Sequence, residues 1–360
     1  MTSMFYKSDC IYFRGDIPCK PHKAEGYHCD NCPAYSKITK RILIIKLGAI
    51  GDVIRTTPLI TKYRQMYPGC KITWVTLSPA IVPSSAVDEI LRLNLETVLY
   101  IQNTKFDILI NLDKEKEAGA LLSSIEATEK YGYTLKDGVA QPYNELAYHK
   151  FHTGIFDDVS KANTKSYMEE IFEIIGQKYG GEKYLMDNHE DKGYTWPQID
   201  KTKKVIGLNT GCGDRWTTRL WSTEKWTALI NKLLADGHEV ILLGGEQEDP
   251  RNKELASLTK AKYLGHFPLQ QFINLVNQID LMVTQVTMGF HIALGLHKKV
   301  VLMNNIFNPH EFDLFGNGKL VQPNKACKCF YKGTCVDGIS CMEELPADKV
   351  HAAVGEVLAI

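Results

Sequence analysis

Arg41-Ile42-Leu43-Ile44-Ile45-Lys46-Leu47-Gly48-Ala49-Ile50-Gly51-Asp52 is the stretch that decides the fold. Its first half is a short unbroken apolar run, the pattern of a strand buried on both faces in a parallel sheet. Its second half is a turn carrying Gly48 and Gly51. Residues 53–67 then read as a helix that Pro68-Gly69 ends. Strand, tight turn and helix in that order open a βαβ unit, and further strands are expected at Lys71–Thr76 and 106–112.

The alternation resumes after a polar stretch with Gly and Pro at 187–204. A strand at Val205–Asn209 leads into a loop at 210–220. The next helix has the clearest period in the chain, with Trp226, Leu229, Ile230, Leu233 and Leu234 on one face. Ser222 or Thr223 suits its start, and Gly237 suits the left-handed residue after its end. Strands are expected at Glu239–Leu243, 281–284 and 300–303, and Met168, Ile171, Phe172 and Ile175 stripe another helix. The fold class is therefore α/β, with two domains at 40–190 and 191–325. Cysteine-rich segments at 1–39 and 326–345 flank them, and a helix at 346–360 closes the chain.

Composition narrows the function. A length of 360 residues suits two hydrophobic cores, and the 44% hydrophobic content is that of a packed protein. Lys+Arg and Asp+Glu are both 42, so no global field favours a polyanion, and nucleic acid is not an expected partner. No apolar run approaches the roughly 20 residues of a membrane span. Residues 1–7 lack the apolar core of a secretory signal, so a cytoplasmic location is expected. Contact with the inner face of a membrane, and oligomerisation, stay open.

The turn after the first strand lets backbone N–H groups approach an anion or a sugar closely. It is neither a P-loop nor a dinucleotide fingerprint, because no Lys-Ser/Thr pair follows and the glycine spacing differs. Glycines alone fit an ordinary structural turn equally well. Asp52 adds a carboxylate at a helix start, which is either a partner for the helix dipole or a base at a cleft mouth.

Lys46-Leu47-Gly48-Ala49-Ile50-Gly51-Asp52-Val53-Ile54, with Thr56-Thr57-Pro58-Leu59, resembles the opening of glycosyltransferase family 9, the ADP-heptose:lipopolysaccharide heptosyltransferases. Three further stretches resemble the same family in the same order: Asn209-Thr210-Gly211-Cys212-Gly213 with Arg219-Leu220-Trp221-Ser222, then Leu242-Leu243-Gly244-Gly245-Glu246, then 280–293. The resemblance covers about residues 40 to 345. It implies a GT-B architecture, two Rossmann-like domains facing across a cleft, with acceptor at the first and nucleotide-sugar at the second. It implies an inverting transfer, needing no catalytic metal, from a donor such as ADP-heptose to a hydroxyl of a glycan, a lipopolysaccharide core or a protein.

By position in the family, Asp52 is the base and Arg219 stands against the diphosphate. Thr210, Gly211, Gly213, Thr287, Met288, Gly289 and His291 line the donor, and Glu246 accepts from its ribose or base. Gly48 and Gly51 lie on the acceptor side, with Asp113 or Glu117 as alternative base or acceptor contact. Each has a bland counterpart: Arg219 as a surface arginine, Glu246 as a solvated loop residue, His291 as a satisfied core histidine, and Asp113 and Glu117 as a solvated helix start. Val286 stands where the family commonly has Asp, and Met288 where it has Gly, which bears on the identity of the sugar. Loops at 78–88 and 130–156 are expected to face the acceptor.

Cysteines complete the pattern. Cys10, Cys19, Cys29 and Cys32 precede the first domain, and Cys327, Cys329, Cys335 and Cys341 follow the second. Four thiols suit a tetrahedral Zn or Fe centre of structural kind, which these donors do not tell apart. His22 or His28 can replace a ligand in the first group. The second group resembles the four-cysteine iron finger of autotransporter heptosyltransferases, with different spacing. Two other classes stay in play: a nucleotide-sugar epimerase of similar fold, and a non-enzymatic zinc scaffold.

Overall fold

The computed structural model describes residues 5–213 and 216–360. The first sheet contains β1 (Arg41–Ile45), β2 (Lys71–Thr76), β3 (Glu89–Arg92), β4 (Phe106–Asn111), β5 (Ala127–Lys136) and β6 (Val139–Pro142), in the order β3-β2-β1-β4-β5-β6. The second contains β7 (Val205–Asn209), β8 (Glu239–Leu243), β9 (Lys262–Tyr263), β10 (Leu281–Gln285), β11 (Lys299–Met303) and β12 (Gly318–Val321), in the order β12-β11-β10-β7-β8-β9. Every pairing is parallel except the β5–β6 hairpin. Each sheet counted alone has the Rossmann order, reversing direction beside its own first strand. That reversal opens a crevice at the carboxyl ends of β1 and β4, and another at those of β7 and β10.

The strands form because their runs are buried on both faces. Ile42, Leu43, Ile44 and Ile45 are wholly inaccessible, and Leu43 lies level with Thr73 of β2 and Leu109 of β4. In β5, Gly132 has φ +100°, and a Cβ there would sit 1.7 Å from the Asn111 carbonyl oxygen, so only glycine lets β4 and β5 close up.

Two compact units result. The first holds the chain through Leu47, then Leu59–Pro79 and Ser84–Asn144; the second holds Gly48–Pro58, Ala80–Pro83 and Glu145–Ile360. The core of the first gathers Leu43, Ile45, Leu109, Leu121 and Leu122. The core of the second gathers Trp226, Leu229, Ile230 and Leu233 from the strongly periodic helix, here Thr223–Ala235, with Trp221 edge-on to Trp226 at 5.0 Å. Gly237 takes the left-handed conformation (φ +84°), and its N–H donates to the Leu234 carbonyl, as a helix end requires.

Two expectations are corrected. The helix expected at 53–67 is two helices, Ile50–Thr56 and Pro58–Met66. Pro58 has no N–H to give Ile54, and the Thr57 hydroxyl takes that carbonyl instead at 2.7 Å. The loop expected at 130–156 is largely the β5–β6 hairpin and the helix Tyr148–Thr153. Its turn is Asp137-Gly138, both at positive φ, the pair that a tight hairpin of right-handed twist requires.

Candidate active site

Asn209, at the end of β7, closes the crevice of the second sheet from below. Its amide donates to the hydroxyls of Thr284 and Thr287, both at 3.0 Å, tying β7 to the loop after β10. Thr287 caps the helix Met288–Gly295, accepting from the Phe290 N–H at 3.4 Å. Gly289 lets that helix lie against Asn209, since a Cβ would come within 3.3 Å of the amide carbon. Met288 stays exposed at the helix start.

The loop after β7 is held from the other side. Thr210 is fully buried and its hydroxyl donates to Asn252 Oδ1 at 2.6 Å, which leaves it only lone pairs to offer a ligand. Gly211 lies under the Glu248 side chain, which would stand 2.0 Å from a Cβ there, and Glu248 also accepts from the Gly245 N–H at 2.8 Å. The carboxylate against this loop is therefore Glu248. Glu246, singled out from the sequence, is exposed on the turn. Gly213 is left-handed (φ +71°). Asp214 and Arg215 lie outside the described residues.

Arg219 ends this loop with its side chain turned inward. Its guanidinium donates to three carbonyls, those of Val286, Cys212 (2.7 Å) and Trp216 (3.4 Å), and lies 5.2 Å from the Phe307 ring centre. The residue is 6% exposed, and no carboxylate pairs with it among the described residues. Burial pulls its pKa below the ordinary arginine value. Carbonyl dipoles hold the fork, and among the described residues its positive charge meets no carboxylate.

Asp52 occupies the first turn of the helix Ile50–Thr56, with its side chain 42% exposed. This helix belongs to the second unit and packs on the helix Met288–Gly295. Contact is closest at Gly51, where a Cβ would fall 2.8 Å from His291 Cδ2, so a larger residue would push the Asp52 turn outward. Gly48 has open space around it. His291 is buried, and its Nδ1 has no hydrogen-bond partner. Burial, with the Arg55 charge second, holds its pKa well below the usual histidine value, so the ring is neutral. Arg55, one turn on from Asp52, was not singled out from the sequence; it pairs with Glu311 at 2.8 Å.

In the first unit, Asp113 is buried, and both its oxygens are taken by the Lys46 ammonium and the Leu47 N–H. Burial pushes its carboxyl up, against the pull of Lys46. This is the geometry of a brace for the turn after β1. Glu117 is exposed in the first turn of the helix Lys116–Ser124.

All ten cysteines are free thiols. Cys10, Cys19, Cys29 and Cys32 line one cavity of about 20 Å³. In the second group the Cys329 N–H points to Cys327 Sγ and the Val336 N–H to Cys329 Sγ, both at 3.2 Å. Yet among the described residues no group of three or more His, Cys, Asp or Glu side chains is placed to hold a metal ion, so neither four-thiol centre is assembled here. Metal binding by thiols is coupled to their deprotonation and to the ion itself. No helix among the described residues is long and apolar enough to cross a membrane.

The sequence model described as glycosyltransferase family 9 (heptosyltransferase) matches residues 98–332. The chain belongs to glycosyltransferase family 9. As a member of that family it is a glycosyltransferase. The lipopolysaccharide core heptosyltransferase OpsX of Haemophilus influenzae is 22% identical over 297 residues, covering 77% of this chain and 82% of that protein. The fold is shared with the Escherichia coli heptosyltransferase WaaC, solved with ADP, at TM-score 0.63 and 17% identity over 88% of this chain and 99% of that one. It is also shared with TibC, an iron-containing dodecameric glycosyltransferase from enterotoxigenic E. coli, at TM-score 0.53 and 12% identity over 90% and 77%. In the β7–β10 crevice, Thr287, Gly289 and His291 come from the cap and body of one helix and Arg219 from the loop after β7, all within the second unit.

Proposed function

We propose that this family 9 enzyme moves heptose from ADP-heptose to a hydroxyl of a lipopolysaccharide core or related glycan, in one inverting displacement. The observation that carries this reading is Arg219, a buried fork held by carbonyls with no carboxylate partner among the described residues. A buried cation kept without a counter-ion is a place prepared for an anion, and the planar fork matches a diphosphate. The printed names of the relatives, a core heptosyltransferase and a heptosyltransferase solved with ADP, support the choice of donor.

The chemistry follows from the groups present. The Asp52 carboxylate takes the proton of the acceptor hydroxyl as its oxygen bonds to the anomeric carbon. The bond from that carbon to the β-phosphate oxygen breaks, and its electron pair leaves with ADP, whose growing charge Arg219 and the loop N–H groups stabilise. Glu246, with the Glu248 carboxylate beside Gly211, accepts from the nucleoside hydroxyls in this reading. Val286 in place of an acid leaves the sugar fewer hydroxyl contacts, so donor choice rests more on the nucleotide. The reading places the enzyme in the cytoplasm, at the membrane face that presents a lipid-linked acceptor.

Donor screening tests this. ADP and ADP-heptose are expected to raise the melting temperature in proportion to the logarithm of their concentration over Kd, and UDP-sugars to leave it unchanged. Stabilisation by UDP-sugars alone would overturn the donor assignment.

A structural metal belongs to the same proposal. The donor chemistry of the first cysteine group suits Zn or Fe, since four residues with thiol side chains line one small cavity. Cys10 pins the segment by a bridge to Lys37, and His22 is engaged with the Tyr27 carbonyl at 3.0 Å. A bound ion would supply cross-linking alone, with no open position for substrate. Purified protein is expected to carry about one Zn or Fe per chain, because a structural site is filled when folded. Metal analysis returning under about 0.2 per chain would remove this part of the proposal.

A further inference from the structure

Arg55 stands between two carboxylates. Its Nη1 donates to Glu311 Oε1 at 2.8 Å and lies 3.6 Å from Asp52 Oδ1, while its Nη2 donates to the Glu311 carbonyl at 3.3 Å. The guanidinium carbon lies over the Tyr167 ring, 3.6 Å from its centre, and the Arg55 side chain is 6% exposed. Glu311 is held in turn. The Tyr331 hydroxyl donates to its Oε2 at 3.4 Å and lies 3.1 Å from Ser160 Oγ. Asn308 fixes the turn before Glu311 by donating to the Ser160 and Asn163 carbonyls, both at 2.7 Å.

Magnitudes show what this arrangement does. An ion pair on a mobile surface arginine is worth about 0–1 kcal/mol and would not orient Asp52. Arg55 is not mobile, because two bonds from Glu311 and an aromatic face fix its fork before any substrate arrives. Burial pushes the Glu311 carboxyl up, but the Arg55 and Lys150 charges outweigh it, so Glu311 stays ionised and the hold on Arg55 is charged. Both Glu311 oxygens thus have partners inside the protein, Oε1 in Arg55 and Oε2 in Tyr331.

We propose that Arg55, locked by Glu311 and Tyr331, is a positioning residue that aims the Asp52 carboxylate: it engages Oδ1 and leaves Oδ2 for the acceptor hydroxyl. This rests on the reading of Asp52 as the base. Tyr331 lies inside the C-terminal cysteine segment, two residues from Cys329, so that segment reaches the base through three side chains. None of the three needs to touch substrate.

The test is a set of double-mutant cycles. Arg55→Met, Glu311→Gln and Tyr331→Phe are made in the wild-type and Asp52→Asn backgrounds, and ADP release from ADP-heptose is followed with heptose-deficient lipopolysaccharide as acceptor. In the wild-type background Glu311→Gln is expected to lower kcat about tenfold, with KM for ADP-heptose within about twofold. In the Asp52→Asn background the same change is expected to cost less than about twofold, because a residue that acts through Asp52 has nothing left to aim. Arg55→Met removes the cation beside the half-buried Glu311 and risks misfolding; Glu311→Gln and Tyr331→Phe, which keep shape, carry the test in that event. Equal losses in both backgrounds, or a raised KM at unchanged kcat, overturn the proposal. A full-rate Asp52→Asn enzyme removes the base reading instead, so the two failures are distinguishable.

Discussion

Asp52→Asn is expected to lower kcat by about 10²–10⁴ while leaving donor binding intact, the usual worth of a positioned general base. The substitution keeps the size and planarity of the side chain and removes only its ability to accept a proton as an anion. Asp52 is part-exposed in the first turn of its helix, so the protein has no folding reason to fail when the charge is lost. An amide at that position still accepts from a neighbouring N–H group. ADP-induced stabilisation should therefore persist in the variant as the rate falls. Near-normal turnover in a folded Asp52→Asn protein would remove Asp52 from the mechanism.

Arg219→Ala is expected to reduce kcat by about 10²–10³, the scale found when one preorganised charge-stabilising donor is removed. It should also abolish most of the melting-temperature rise produced by ADP. The loss has two parts. One is the missing charge opposite the leaving diphosphate. The other is the release of the Val286, Cys212 and Trp216 carbonyls, which the guanidinium now gathers to shape the loop. Arg219→Lys separates them: it restores the charge without the three-way fork, so it should recover only a fraction of the rate. Full recovery with Lys would mean that charge alone matters at this position. Unchanged ADP binding in Arg219→Ala would dissociate the residue from the diphosphate altogether.

Most of the sheet scaffold was legible in the sequence because parallel strands buried on both faces are continuous apolar runs. Val205–Asn209 and Lys71–Thr76 need no tertiary information to be recognised. β5 was missed because Glu129 and Lys130 interrupt its apolar residues, although Asp137-Gly138 was a sufficient hairpin signal. The helix break at Pro58 was also readable, from the missing N–H alone. Within the site, glycine turns and Arg219 could be found from their order along the chain. Glu248 could not be told from Glu246, since only the fold shows which carboxylate turns back over Gly211. Arg55 was invisible for a deeper reason: its environment is made by Tyr167, Glu311 and Tyr331, which no local pattern connects to it. The cysteines show the opposite limit. Their grouping is plain in the sequence, while convergence on an ion depends on deprotonation and on the ion itself.

The pairing of Arg55 with Glu311 joins residues 256 positions apart. During synthesis, the helix bearing Asp52 and Arg55 emerges early and waits for most of the second unit before Glu311 joins the pair. Its packing surface at His291 is delivered only shortly before that, so for most of synthesis the helix has no neighbour to hold its orientation. The centre is thus completed only when the ribosome has delivered the C-terminal part of the chain. A product cut short before Glu311 would carry every strand of the first sheet and lack the carboxylate that fixes Arg55.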